Sequence, residues 1–160
     1  MSAWETFFAA EVGASAALAG LVFVGLSINL DKIIAGTGLP DRALEALVAL
    51  LVVLVVSSLL LVPGQSWALI GGEVLVIGLA YWIAIVSLQV VNLRTLAPQY
   101  RGTFAVRAAL GQLATVPFVI AGAAVLVRGE GGLYWGVPGV IASFVLALLD
   151  AWVLLVEINR

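Results

Sequence analysis

The chain has 160 residues, of which 64% are hydrophobic and 10% are charged, and its formal net charge is −2. Soluble domains are about half apolar and about a quarter charged, and a chain this short would leave much of its apolar surface in water. The sequence has no cysteine and no histidine, which excludes disulfides, thiolate chemistry and the usual nitrogen and sulfur ligands of zinc. We therefore predict a membrane protein whose surroundings are the lipid bilayer. We expect no cofactor, no metal site and, for lack of a basic stripe, no nucleic-acid partner.

Five apolar runs follow one another along the chain, near residues 7–30, 41–62, 68–91, 105–127 and 135–158. Each is close to the roughly 20 residues that a helix needs to cross about 30 Å of hydrocarbon. The runs lack the alternation of membrane strands, and only helices or closed barrels satisfy the backbone in lipid. We predict an all-α fold, a polytopic transmembrane helical bundle of about five membrane-spanning helices that forms a single domain over residues 1–160.

Proline and glycine residues mark the ends of several runs. Pro40, just ahead of Asp41, predicts a helix start, because proline fits the first turn and carboxylates suit the positive end of the helix dipole. Pro63 and the glycine after it close the second run, and the glycine-rich residues 129–132 separate the fourth run from the fifth. Pro117, in the middle of the fourth run, removes one backbone hydrogen bond and predicts a kink.

The basic residues indicate the orientation of the bundle. One side collects Lys32, Arg42, Arg94, Arg101, Arg107 and Arg160, whereas the other side has Arg128 alone. The positive-inside rule then predicts an N-out, C-in topology. Aromatic residues at the expected outer interface agree with it: Trp4, Trp67, Tyr134 and Trp135. A bias toward Ala, Val, Leu and Gly is typical of GC-rich bacteria, so we expect a multi-pass protein of a bacterial cytoplasmic (inner) membrane.

Three acidic residues fall inside the predicted helices: Glu11, Glu73 and Asp150. An ionisable group near the bilayer centre costs roughly 2.5 kcal/mol or more, so each acid needs a partner, an aqueous cavity or a place near the interface. Glu11 and Glu73 have similar predicted depths in the outer leaflet. If their helices touch, the pair would share a proton or hold a monovalent cation; otherwise each acid is hydrated separately. Glu45 and Glu157 lie near the cytoplasmic ends of their helices, where we expect water to reach them.

The first predicted helix has two distinct faces. At 100° per residue, one face carries the polar residues Glu11, Ser15 and Asn29 together with Leu18, Val22 and Gly25. The opposite face carries a row of small residues, Gly13, Ala16, Gly20 and Ser27, which we call the small-residue face. Small residues let helices approach closely in lipid, so we predict that this helix packs on both sides. The pattern leaves open whether the partner belongs to the same chain.

A polar layer is predicted at the cytoplasmic ends of several helices. Its members are Asn29, Gln89, Asn92 and Gln112, with Arg107 at the interface and Asp150 on the fifth helix. Such a layer is typical of interhelical hydrogen bonds that lock a bundle together. The alternative is a vestibule that opens to the cytoplasm.

Three stretches resemble a known family. They are Trp4-Glu5 through Ser27-Ile28-Asn29-Leu30, then Leu39-Pro40-x-Arg42-Ala43, and finally Ser57-Ser58-Leu59-Leu60-Leu61-Val62-Pro63-Gly64-Gln65. These stretches resemble small uncharacterised actinobacterial membrane proteins that are often labelled as modulators of the FtsH membrane protease. The resemblance covers about the first 65 residues and implies no site residues.

Two hypotheses of function follow from these observations. The first is a non-catalytic accessory protein, scaffold or modulator that packs with itself or with another membrane protein. The alternative is a homo-oligomeric ion channel or ion-coupled transporter that uses Glu11, Glu73 and Asp150 to bind a monovalent cation or proton. An enzyme is disfavoured, because Ser15 has no histidine to activate it and no phosphate loop or metal cluster is present in the sequence.

Overall fold

The structure is a computed structural model, and it describes residues 3–36, 38–95 and 101–156. Within these ranges the chain forms six α-helices, one 3-10 helix and no strand. The elements are α1 (Ala3–Ile28), α2 (Leu30–Ala35), α3 (Leu39–Leu59), α4 (Trp67–Thr95), α5 (Arg101–Arg128), the 3-10 helix (Gly129–Trp135) and α6 (Val137–Leu155). The predicted all-α fold is confirmed.

Five helical segments of the described chain are long and apolar enough to cross a membrane: Ala3–Ile28, Leu39–Leu59, Trp67–Arg94, Phe104–Trp135 and Val137–Leu155. This confirms the prediction of five long apolar helices. The boundaries differ by a few residues, since α1 already begins at Ala3 and α3 ends at Leu59. Glu157 lies outside the described residues.

The segments between the long helices are more ordered than the sequence indicated. Pro40 does occupy the first turn of α3, and Gly38 before it has the left-handed backbone that favours glycine, with φ 76°. The short helix α2 was not predicted. Residues 129–132 do separate α5 from α6, but as part of a 3-10 helix. Pro117 lies within α5, which continues through it from Arg101 to Arg128.

The described residues group into two compact units. The first unit comprises the described parts of Met1–Gln65 and Ser143–Arg160, and the second comprises those of Ser66–Ala142. The division falls within α6. The first unit therefore contains α1, α2, α3 and the C-terminal part of α6, whereas the second contains α4, α5, the 3-10 helix and the start of α6.

In the first unit, α1 and α3 pack against each other. The face of α1 that is buried carries Phe8, Ser15, Val22 and Gly25. At the end where α1 leads into α2, an apolar cluster joins the helices: Ile33, Ala43 and Leu154, with Leu26 and Leu39 packed against them. Because only residues 29–38 connect α1 to α3, the two helices run antiparallel.

In the second unit, α4 and α5 pack through glycines. A Cβ atom at Gly78 would lie 2.9 Å from the backbone of Phe118 and Val119, and one at Gly122 would collide with the backbone of Leu75. Leu75 of α4 meets Gly122 of α5, whereas the later residue Gly78 meets the earlier residue Phe118. The two helices therefore run antiparallel. Without a hydrophobic driving force between helices in lipid, such close backbone contact supplies van der Waals packing.

Candidate functional site

Glu11 lies on the buried face of α1, and one oxygen of its carboxylate has no hydrogen-bond partner among the described residues. The side chain is half-buried. Its Oε2 atom is shielded from solvent and has no hydrogen-bond partner among the described residues. The Ser15 hydroxyl, one turn away, donates instead to the backbone carbonyl oxygen of Glu11 at 2.6 Å. Glu11 therefore has a buried carboxylate oxygen that no described residue satisfies.

Ser57, near the end of α3, presents a second unsatisfied polar atom. Its side chain is fully buried, and its Oγ has no hydrogen-bond partner within the described ranges. Other helical hydroxyls bond to the carbonyl oxygen four residues earlier. These are Ser15, Ser27, Ser58, Ser87 and Thr115, at donor–acceptor distances of 2.6 to 3.0 Å. The hydroxyl of Ser57 lacks that bond, although its neighbour Ser58 makes it.

Asp150 is held by a basic residue that the sequence analysis assigned only to topology. Its carboxylate is 4% exposed, and its Oδ1 lies 3.8 Å from Nη1 of Arg42, whose side chain is 29% exposed. Glu45, one turn after Arg42 on α3, is also buried, at 4% exposure. The expectation that water reaches Glu45 is therefore wrong, because the residue is buried within the protein.

Glu73, the third predicted intramembrane acid, lies on α4 in the second unit and is half-buried. Glu11 belongs to the first unit. The predicted pairing of these two acids stays a prediction.

The second unit contains a chain of side-chain hydrogen bonds between α4 and α5. The Trp82 indole donates to Oε1 of Gln112 at 2.8 Å, and Nε2 of Gln112 donates to Oε1 of Gln89 at 3.0 Å. Nε2 of Gln89 in turn reaches the backbone carbonyl oxygen of Ala108 at 3.3 Å. Two members of the predicted polar layer are thus brought together. The third residue of this hydrogen-bond chain, Trp82, was not predicted. The only feature that could have indicated it in the apolar run is its indole N–H, which needs a hydrogen-bond acceptor when it is out of water.

The remaining members of the predicted polar layer are distributed over both units. Asn92 and Arg107 are half-buried on α4 and α5, near the end that holds Gln89. Asn29 belongs to the first unit, where its amide donates to the carbonyl oxygen of Gly25 at 3.3 Å. The structure therefore places Asn29 in a local bond to its own helix, outside the hydrogen-bond chain of the second unit.

The small-residue face of α1 is exposed along its whole length. Its members are Gly13, Ala16, Gly20 and Ser27. Apart from the adjacent turns of α1 itself, no described atom lies within 4 Å of the position that a Cβ would take at Gly13 or Gly20. The hydroxyl of Ser27 is satisfied within its own helix, by the carbonyl oxygen of Phe23 at 2.8 Å. Within the described chain, α1 packs on one face. Its opposite face is exposed and consists of small residues, and its one hydroxyl, that of Ser27, is hydrogen-bonded within the helix.

The arrangement of these side chains supports ligand binding and helix packing better than it supports catalysis. Among the described residues, no three acidic side chains meet in a way that could hold a metal ion. The hydroxyl of Ser15 is bound to a backbone carbonyl rather than to a base. Comparisons of the chain with protein-family models, with curated proteins and with solved structures found no match.

Proposed function

We propose that this chain is a non-catalytic multi-pass membrane protein, an accessory, scaffold or modulator that acts by packing its helices against a second copy of itself or another membrane protein. The observation that carries the proposal is the exposed small-residue face of α1, opposite the face that packs on α3. In lipid, helices associate where small residues allow backbones to approach. A helix that keeps such a face outside its own bundle is suited to an external helix.

The use of the polar side chains also supports this proposal. Asp150 is paired with Arg42, and Gln89 with Gln112, so these groups stabilise contacts between helices. Polar side chains that bond across helices in lipid hold a bundle in one arrangement. Helix pairs held in one arrangement, together with the exposed small-residue face of α1, suit a scaffold.

The resemblance of the first 65 residues to proteins labelled as modulators of the FtsH membrane protease names one class of partner. It covers α1, α2 and α3, and so includes the small-residue face. We propose such a protease as the first partner to test after the chain itself.

The test compares one substitution at two exposed alanines of α1. Ala16 lies on the small-residue face, and Ala14 lies well away from it on the same helix. Energy transfer between labelled copies in liposomes, measured against the protein-to-lipid ratio, reports self-association. We expect Ala16→Ile to reduce the transfer about tenfold or more at a given ratio, because a branched side chain separates the backbones, and Ala14→Ile to leave it unchanged.

A second arm measures transfer between the labelled chain and a labelled FtsH-type protease in the same liposomes. Equal behaviour of Ala16→Ile and Ala14→Ile in both arms would contradict a role for this face. Association of the wild type in neither arm would refute the scaffold proposal.

We further propose a bacterial cytoplasmic membrane and an N-out, C-in orientation, on the strength of the basic residues gathered on one side. A reporter that is active only in the cytoplasm should work when fused after Arg160 and fail when inserted at Gly64, an exposed turn residue between α3 and α4. The reverse pattern would overturn the orientation.

The second candidate function is a homo-oligomeric channel or ion-coupled transporter. It is favoured by one observation, the buried Oε2 of Glu11 that no described residue satisfies. Glu11→Gln keeps the shape and removes the charge, so transport should fall sharply in this variant. Vesicles with purified, folded wild type that pass neither protons nor common monovalent cations would exclude this function.

A further inference from the structure

Two side-chain oxygen atoms of the first unit are buried and lack a hydrogen-bond partner among the described residues. Oε2 of Glu11 and Oγ of Ser57 are both shielded from solvent, and neither is hydrogen-bonded by a described residue. A buried polar atom without a partner costs about 1–3 kcal/mol, and more when it is charged. A ligand that satisfied both atoms at once would offset both costs.

The two residues lie at the same level of two helices in contact. Leu26 of α1 and Ala43 of α3 belong to one apolar cluster. At about 1.5 Å per residue, Glu11 is about 22 Å along α1 from Leu26, and Ser57 is about 21 Å along α3 from Ala43. Because α1 and α3 run antiparallel and pack together, both side chains reach the same end of their contact.

The positions of Glu11 and Ser57 around their helix axes can be compared in the same way as their positions along them. Glu11 shares the face of α1 that carries the buried Ser15 and Val22. On α3, Ser57 lies within about 40° of Ala43, the residue that meets the cluster containing Leu26, at 100° per residue. Both residues thus lie on the sides of α1 and α3 that carry the buried residues of these two packed helices.

A positive charge for this carboxylate can come from an ion in solution. The basic side chains that the structure describes in the first unit, Lys32 and Arg42, lie at the opposite end of its helices. Glu11 is half-buried rather than sealed, so a small ion can reach it. A carboxylate oxygen and a hydroxyl oxygen are hard ligands, and their single negative charge is balanced by one monovalent cation.

We propose that the Glu11 carboxylate and the Ser57 hydroxyl form a binding site for one monovalent alkali cation between α1 and α3. This site goes beyond the scaffold function, since it uses the face of α1 opposite the small-residue face. A bound cation would fix the angle of α1 on α3 in a scaffold and would be the coupling ion in a transporter. Failure of the site would leave the association test of α1 unaffected.

The experiment measures the thermal unfolding midpoint of the purified full chain in lipid nanodiscs. Sodium chloride replaces choline chloride at constant ionic strength and constant pH. An ion that binds only the folded state raises the midpoint steadily once its concentration exceeds the dissociation constant. We expect this rise in the wild type and its loss in Glu11→Gln, whereas Glu5→Gln, at an exposed acid of the same helix, keeps it.

Two adjacent serines provide the matched pair for the hydroxyl. Ser57→Ala removes an unsatisfied oxygen, and we expect the apparent affinity for sodium to fall about tenfold, the equivalent of about 1.4 kcal/mol. Ser58→Ala removes a hydroxyl that donates to the carbonyl oxygen of Leu54 at 2.7 Å and is exposed, so sodium affinity should not change. This pair decides the question even if Glu11→Gln does not fold.

Three results would overturn the proposal. The first is a folded wild type whose unfolding midpoint ignores sodium. The second is an equal effect of Ser57→Ala and Ser58→Ala on the sodium response. The third is a midpoint that responds to pH but not to sodium, which would leave Glu11 as a carboxyl group that binds only a proton.

Discussion

Replacing Arg42 by methionine should destabilise the first unit more than any neutralisation of its partner. In this variant Asp150 keeps its carboxylate, only 4% exposed, while the guanidinium 3.8 Å away is gone. At that distance and an effective dielectric constant of about 20, the lost attraction is about 4 kcal/mol. Breaking a buried pair from one side typically costs about 3–5 kcal/mol, so we expect a loss of about 3 kcal/mol.

The reverse change should cost less. Asp150→Asn leaves Arg42, which is 29% exposed and long enough to turn its charged end toward water. We therefore expect a loss of about 1 kcal/mol from Asp150→Asn, the range of an ion pair that water can replace. The double variant, which also removes the buried carboxylate charge, should be more stable than Arg42→Met alone.

The assay is reversible unfolding in mixed micelles with increasing sodium dodecyl sulfate, followed by tryptophan fluorescence. The control is Arg94→Met, the same change at an exposed arginine of α4. Equal losses from Arg42→Met and Arg94→Met, or a larger loss from Asp150→Asn than from Arg42→Met, would refute the reasoning.

Three further predictions concern helix contacts. All three use the same unfolding assay, and the third also uses the energy-transfer measurement of association. Gly78→Ala should destabilise the fold by about 1–3 kcal/mol because its Cβ would press on the α5 backbone. Gly72→Ala meets no described atom and should be neutral or stabilising by up to about 1 kcal/mol. Gln112→Met should cost about 1–2 kcal/mol and alter the tryptophan emission, because it breaks both side-chain bonds of Gln112; unchanged emission would count against the bond. Gly20→Ile should reduce association without changing unfolding, whereas Val22→Ala, at a buried position, should cost about 1–3 kcal/mol without changing association; identical readouts for these two would remove the distinction between the faces of α1.

The long helices could be predicted because the bilayer leaves the backbone few alternatives. Twenty consecutive apolar residues have to close their hydrogen bonds internally, whatever their neighbours are. Periodicity also separated the two faces of α1, and depth along the helices put Gln89 and Gln112 in one layer, where the structure brings them together. The short helix α2 has too few residues for a periodic signal.

Contacts between distant segments could not be read in the same way. Arg42 looked like a topology signal because nothing local links it to Asp150, more than 100 residues later. Ser57 and Ser58 are identical neighbours, and only their azimuth on α3 makes one buried and the other exposed. Hydropathy likewise treats Gly72 and Gly78 alike, whereas only Gly78 touches another backbone.

The division of α6 between the two units has a consequence for biogenesis. The second unit is continuous in sequence, so its helices can meet as they leave the ribosome. The first unit lacks its closing segment until Ser143 and the residues after it have been made. At about 5–20 residues per second, the roughly 80 residues between α3 and that segment take roughly 4–16 s to synthesise. During this interval α3 is present without Asp150, the partner of Arg42. A chain stalled or truncated before α6 would display that incomplete surface, a feature by which quality-control proteases of the membrane could recognise it.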